Sequence, residues 1–295
     1  MQWFERMNRA IDYIEENLDG IVDYNQIARL MQQPALSVQR TFSIITNTSL
    51  SDYIRKRRLT LAAFELQNGD EKIIDIATKY GYESPEAFTR AFKEIHGVPP
   101  NAARSEGVSL KTFPRVSFLL TVKGATPMSY RIESRESFGV YGIEGIISTE
   151  ENANQSVPMF WQACENNGQI ERLRASTLVP PSGIHAICCY RDTGRKSFPY
   201  MIFTYQTRDS NTAGFTKVRV PASTWAIFRS DNHTEEETVS TIQMLNKRVY
   251  TDWLPTSGYE KIDGFELELY HGTDDGMYFC ETWVRVASTK KCGIE

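Results

Sequence analysis

The chain lacks surplus positive charge: 33 Lys and Arg against 37 Asp and Glu leave a net charge of −4 over 295 residues. A domain that neutralises phosphates often has a high isoelectric point. Bulk charge therefore gives no support to nucleic-acid binding, and any such role must rest on local clustering. Long apolar runs are also missing. The chain opens MQWFERMNRAIDYIEENL, charged throughout, and nowhere holds roughly 18 consecutive apolar residues, so neither an export signal nor a membrane span is expected. The scarce histidines, His96, His185, His233 and His271, are dispersed. The five cysteines (Cys164, Cys188, Cys189, Cys280, Cys292) contain no CxxC pair, and their odd number argues against a fully paired disulfide framework. No metal site, cofactor or Ser-His-Asp arrangement is expected, and a reducing cytoplasm is the expected compartment.

What is present divides in two. At this length a single hydrophobic core is exceeded and two domains are the natural prior. The first hundred residues read as short amphipathic helices. Trp3, Met7, Ile11 and Ile14 recur at helical spacing, and Asp23 caps a second helix in which Ile27 and Leu30 face inward. After Pro34 comes a helix with Leu36, Val38 and Phe42, then a longer one over about 51–66. The pattern repeats: Ile27-Ala28 is echoed by Ile76-Ala77, and Arg40-Thr41-Phe42 by Arg90-Ala91-Phe92, about fifty positions on. Two small helical units joined by one long helix account for this. Basic residues bunch at Arg40, at Arg55-Lys56-Arg57-Arg58, and at Lys79, Arg90 and Lys93.

In the second unit, Gly81 ends one helix, Ser84 caps the next, and Pro85 at its first position costs no hydrogen bond. Phe88, Phe92 and Ile95 form the inward stripe. Pro85, Glu86, Thr89, Arg90 and Lys93 are left as candidates for contact with DNA, where an arginine can pair bidentately with guanine or hold a phosphate. In the first unit the corresponding candidates are Leu36, Ser37, Gln39, Arg40 and Ser43; Gln39 can offer a bidentate amide to adenine. Taken singly, each of these is equally readable as part of a solvated helix face.

The residues Arg40-Thr41-Phe42, Tyr53-Ile54-Arg55, Arg58-Leu59, Ile76-Ala77, Gly81-Tyr82, Phe88 to Lys93 and Gly97-Val98-Pro99-Pro100 strongly resemble the AraC/XylS family of bacterial transcription regulators. The resemblance implies a seven-helix unit that places two helices in successive major grooves of double-stranded DNA. Gln39, Arg40, Thr89 and Arg90 then stand where the family contacts bases or backbone. It further implies a monomer or weak dimer, with RNA polymerase as a candidate protein partner. Two departures fall in the first unit: Gln32 stands where the family commonly has the turn glycine, and Asn47 where a glycine commonly follows the helix. Asn tolerates positive φ; Gln32 requires strain or a changed turn.

After Pro100 the texture changes. Residues 105–127 read as a connector, with a strand in it suggested by Phe113 and Phe118 to Leu120. From 128 onward period-two segments dominate, at Phe138 to Ile143, Ile184 to Tyr190, Tyr200 to Thr204 and Trp225 to Phe228, interrupted by helical stretches near 157–168 and 235–250. The order strand, helix, strand, strand occurs twice, so the expected whole is multidomain: an all-α double helix-turn-helix domain over 1–104, then an α+β domain of two pseudo-symmetric β-α-β-β halves over 128–295. Aromatics beside carboxylates on β-segments make a physical receptor for an organic cation. Ideal strand parity puts Glu281 and Trp283 on one face, a pocket-like arrangement, whereas Glu266 and Glu268 read more readily as a wet outer face. Tyr141, Trp161, Trp225, Glu281 and Trp283 are the candidate effector-binding residues.

Phe138 to Ile143, Val220-Pro221-Ala222, Asp252 to Tyr259, Glu266 to Tyr270 and Glu281 to Val284 look like the GyrI-like effector-binding domain. That resemblance implies a central cavity for bulky or cationic small molecules near a pocket glutamate. The expected function is a DNA-binding regulator, not an enzyme, responding to a small effector. Two alternatives stand beside it: a ligand-free scaffold or protein-interaction module whose aromatics pack solid, and a hydrolase using Glu281 with Tyr141.

Overall fold

Helix α1 spans Gln2–Glu16, and its stripe of Met7, Ile11 and Ile14 is buried. The computed structural model describes residues 2–118, 127–177, 183–194 and 196–289. Helix α2 (Tyr24–Met31) starts at Asp23, whose carboxylate accepts from the Asn25 backbone N–H, and ends on Gln32 in the left-handed conformation at φ 54°. The missing turn glycine is thus met by strain carried on Gln32 itself, whose N–H bonds back to Ala28 and Arg29. Asn47, which follows α3 (Ala35–Thr46), takes φ 56°.

The long α4 (Leu50–Asn68) leads to α5 (Ile73–Lys79), α6 (Pro85–His96) and the short α7 (Pro100–Ala103). Ser84 accepts from the Ala87 N–H and Pro85 stands in the first turn of α6, as the cap pattern requires. Leu59, Leu66, Ile76, Tyr80, Phe88 and Phe92 close one core. The described part of the connector, through Phe118, forms no strand, and Leu119 and Leu120 lie outside the described residues.

The rest is one eight-stranded antiparallel sheet. Its strands are β1 (Ser129–Arg135), β2 (Phe138–Ser148), β3 (His185–Cys188), β4 (Ser197–Tyr205), β5 (Thr216–Val220), β6 (Ser223–Arg229), β7 (Tyr259–Gly272) and β8 (Tyr278–Ser288). Helices α8 (Ala153–Asn166) and α9 (Gln169–Ala175) follow β2, and α10 (Thr238–Arg248) follows β6. The spatial order β1-β6-β8-β7-β3-β4-β2-β5 sets the triplet β6-β8-β7 beside β3-β4-β2. Each triplet contains one β-α-β-β half, so the two expected halves meet where β7 pairs with β3, and β1 and β5 are added edges. Gly142 in β2 is obligatory for this packing: a Cβ there would lie 1.9 Å from the Ile202 carbonyl oxygen.

Alternate residues of a strand point to opposite faces, and the two faces bury different sets. Ala226, Phe228, Cys280 and Val284 pack with Ile242 and Leu245 of α10 and with Val249 and Trp253 beyond it. On the other face Trp225, Ile227, Leu267, Leu269 and Trp283 pack with Val140, Ile187, Met201 and Phe203.

Packing divides the chain into two compact units. One comprises Met1–Val38 with Leu50–Thr121; the other comprises Gln39–Ser49 with Val122–Glu295. The second half of α3 thus packs with the sheet-bearing unit, which the sequence-based boundary at 104 did not anticipate.

Candidate effector cavity and DNA-reading helices

The two helices expected to read DNA stand in different surroundings. On α6, Glu86, Arg90 and Lys93 are exposed, Pro85 and Thr89 are half-buried, and Phe88 and Phe92 are fully buried below them. Residues 86, 90 and 93 lie at three- and four-residue steps and share one outer stripe. On α3, Leu36 and Ser37 are half-buried, while Gln39 and Ser43 are each only 5% exposed. The basic run on α4 is mostly structural. Arg57 forms a partly buried ion pair with Glu15 at 2.7 Å, and Arg58 Nε donates to the Leu18 carbonyl.

Arg40 is held inside the sheet-bearing unit. Its Nη2 lies 3.0 Å from Glu266 Oε2, its Nη1 meets the sulfurs of Cys188 and Cys189, and its guanidinium lies over the Phe198 ring. Glu266 also pairs with Lys261 at 2.7 Å and accepts from the Tyr250 hydroxyl. Burial alone would raise the Glu266 pKa; the charges of Arg40 and Lys261 outweigh it and bring it down to about 2. Cys189, in a left-handed conformation at φ 59°, is drawn down to about 7 by its hydrogen bond with Cys188, with Arg40 adding to the effect.

Beside this cluster opens a cavity of about 550 Å³, lined in part by Arg40 and Ile44, by Val157 and Trp161 of α8, by Phe198 and Tyr200 of β4, by Ile242 and Asn246 of α10, and by Glu268 and Tyr270 of β7. Glu268 is its polar focus. One carboxylate oxygen accepts from the Tyr200 and Tyr270 hydroxyls at 3.2 and 3.0 Å, and the other accepts from Asn246 Nδ2 at 2.8 Å. Thr282 in turn donates to the Asn246 carbonyl oxygen and Trp161 Nε1 donates to the Tyr200 oxygen, so the donors are themselves oriented. Burial, then the neighbouring Glu268, raises both tyrosine pKa values well above the ordinary one, which keeps them hydrogen-bond donors. No Lys or Arg among the described residues forms an ion pair with Glu268. The arrangement is a carboxylate among aromatic rings, held by neutral donors and open to a cavity.

Of the five expected effector-binding residues, only Trp161 lines this cavity. Tyr141 is buried and hydrogen-bonded to Ser176. Trp225 and Trp283 pack together on the opposite face of the sheet. Glu281, 7% exposed, is already occupied by Arg131 at 2.7 Å and by the Trp283 indole N–H at 2.9 Å. The parity reading grouped Glu281 with Trp283 and Glu266 with Glu268 correctly. It misassigned which face is wet, because sequence parity does not say on which face α8 and α10 fall. The signal for Glu268 was Tyr270 two residues on, which shares its face.

Among the described residues no cluster of three or more His, Cys, Asp or Glu side chains is disposed to hold a metal ion, and no helix is long and apolar enough to cross a membrane. Cys292 lies outside the described residues.

Comparison with known proteins divides the chain in the same order. Residues 131–286 match the family described as integron-associated effector binding protein, and residues 27–106 match a helix-turn-helix domain family. Over 105 residues the chain is 36% identical to the uncharacterized HTH-type transcriptional regulator YbfP of Bacillus subtilis (strain 168), covering 36% of either chain, so it spans about a third of that relative's length. Over 98 residues it is 35% identical to the multiple antibiotic resistance protein MarA of Escherichia coli (strain K12), covering 33% of this chain and 77% of MarA. The solved structure of SAV2435 bound to tetraphenylphosphonium aligns with a TM-score of 0.43 at 20% identity, over 54% of this chain and 94% of that one.

Proposed function

Because the chain belongs to the integron-associated effector binding protein family through residues 131–286, joined to an AraC-type helix-turn-helix region, we propose a transcription regulator whose cavity takes a bulky organic cation. The observation that carries the effector reading is Glu268: three neutral donors hold its carboxylate at the wall of a cavity of about 550 Å³, and no Lys or Arg of the described residues forms an ion pair with it. A lipophilic cation gains there by charge pairing and by contact with the rings of Trp161, Tyr200 and Tyr270.

DNA recognition is assigned to the exposed stripe of α6, with Arg90 and Lys93 supplying positive charge, and to α3, whose Gln39, Arg40 and Ser43 reach DNA only when released from the packing that buries them. RNA polymerase as a candidate protein partner and a monomeric or weakly dimeric state complete the reading. An open cavity favours a ligand over the solid-packed scaffold alternative.

Selection of bound DNA from a random library by the full chain, followed by footprinting, tests DNA recognition. Protection of two adjacent major-groove segments is expected, and absence of any enriched sequence refutes it. Saturable binding of tetraphenylphosphonium, followed by Trp161 fluorescence, tests the cavity.

A further inference from the structure

We propose that Arg40 is a latch: Glu266 holds it within the sheet-bearing unit, and a cation entering the adjacent cavity expels it, freeing residues 39–49 for DNA. The inference rests on the cavity being the effector site.

Arg40 has two competing uses that exclude each other. Its guanidinium is satisfied by Glu266, by the sulfurs of Cys188 and Cys189 and by the Phe198 ring, which leaves it none of the geometry needed to grip guanine or phosphate. Glu266 stands in for the phosphate. The rest of the segment is seated with it: Ile44 enters the core formed by Ile242, Leu245 and Val284, Asn47 accepts from Asn152 and Asn154, and the Ser49 hydroxyl donates to the Glu150 carbonyl.

The latch is also poised to open. Two buried cations, Arg40 and Lys261, share the single carboxylate of Glu266, and a buried charge cluster recovers its desolvation cost only in part. When Arg40 leaves, Lys261 remains 2.7 Å from Glu266, so no carboxylate is orphaned. Arg40 and Ile44 form part of the cavity wall. A cation drawn to Glu268 therefore repels Arg40 directly, and its bulk competes with Ile44 for space. Coupling of this kind is reciprocal: DNA must raise the affinity for the cation by the same factor as the cation raises the affinity for DNA.

The test uses the full chain, the DNA it selects, and tetraphenylphosphonium as probe. Tetraphenylphosphonium should raise wild-type DNA affinity by roughly 10-fold, an ordinary coupling. Glu266→Gln should raise DNA affinity by a similar factor without the cation and lose most of the further gain. Because that substitution removes the carboxylate 2.7 Å from the buried Lys261, a second readout uses the wild type alone. Iodoacetamide labelling of Cys188 and Cys189, slow in the free chain, should accelerate when selected DNA or the cation is added.

Cation binding that changes neither DNA affinity nor labelling overturns the latch and spares the effector reading. Labelling unaffected by saturating DNA also overturns it. Failure of the cation to bind at all removes the effector reading, and the latch with it.

Discussion

Replacing Glu268 by Gln removes one negative charge from the cavity while keeping the shape of the side chain. The gain or loss can be worked from the surroundings. A cation whose centre sits about 5 Å from the carboxylate gains about 3 kcal/mol at an effective dielectric of about 20. The cavity is partly open to solvent, which lowers the expected figure to about 1.5–3 kcal/mol, equivalent to roughly 10- to 100-fold in Kd. The substitution also mismatches one hydrogen bond. Tyr200, Tyr270 and Asn246 all donate to Glu268, and a glutamine carbonyl accepts on one side only. A stability loss of about 1 kcal/mol follows. The assay compares tetraphenylphosphonium with the neutral triphenylphosphine oxide by calorimetric titration of wild type and Glu268→Gln. The variant should lose affinity for the cation and keep its affinity for the neutral compound. Equal losses for both, or no loss for either, would refute a charge-selective cavity. Glu281→Gln should leave cation affinity unchanged, since Glu281 already pairs with Arg131 and Trp283 on the other face.

Arg90→Ala and Lys93→Ala should each weaken DNA binding. Where either side chain grips a phosphate, its removal reduces the slope of log affinity against log salt by about 1. Where Arg90 instead reads a base, its removal relaxes preference at one position of the selected sequence; unchanged affinity and preference in both variants would remove α6 from the interface. Phe92→Ala, in the core beneath that stripe, should cost about 3–5 kcal/mol in denaturant unfolding of the helical unit, and Ser84→Ala about 1 kcal/mol through loss of the cap on α6. Glu266 titrates far below its ordinary value of 4.5, at about 2, so its contribution to stability is complete above pH 4.5 and is lost as pH falls toward 2. Acid unfolding of the wild type should therefore steepen below pH 4.5, and the stability difference from Glu266→Gln should shrink across that interval; a difference constant from pH 6 to 2.5 would show that Arg40 and Lys261 do not hold the ionised form.

Local signals carried much of the architecture. Ser84 followed by Pro85 marked the start of α6, and the spacing of Phe88, Phe92 and Ile95 gave its buried stripe, because capping and helical periodicity are written within a few residues. The doubled strand-helix-strand-strand order was legible for the same reason. The non-local facts were not. Glu268 is a cavity residue because α8 and α10 cover that face of the sheet, and nothing within the stretch Phe265 to Tyr270 says which face they cover. Glu281 had the right neighbours in sequence, yet its charge is taken by Arg131, 150 residues earlier in the chain. Arg40 stood out as a candidate DNA-reading arginine by its repeat with Arg90. Its pairing with Glu266 depends on residues 39–49 packing with the sheet, which only the assembled unit reveals.

The central claim is that one chain couples a cavity to DNA recognition. The most direct test is titration of the full chain against its own selected DNA at fixed salt, with and without saturating tetraphenylphosphonium. A sequence-specific complex whose affinity rises with the cation, and rises less in Glu268→Gln, is the predicted result. Affinity for the selected DNA that is identical with and without bound cation would contradict it.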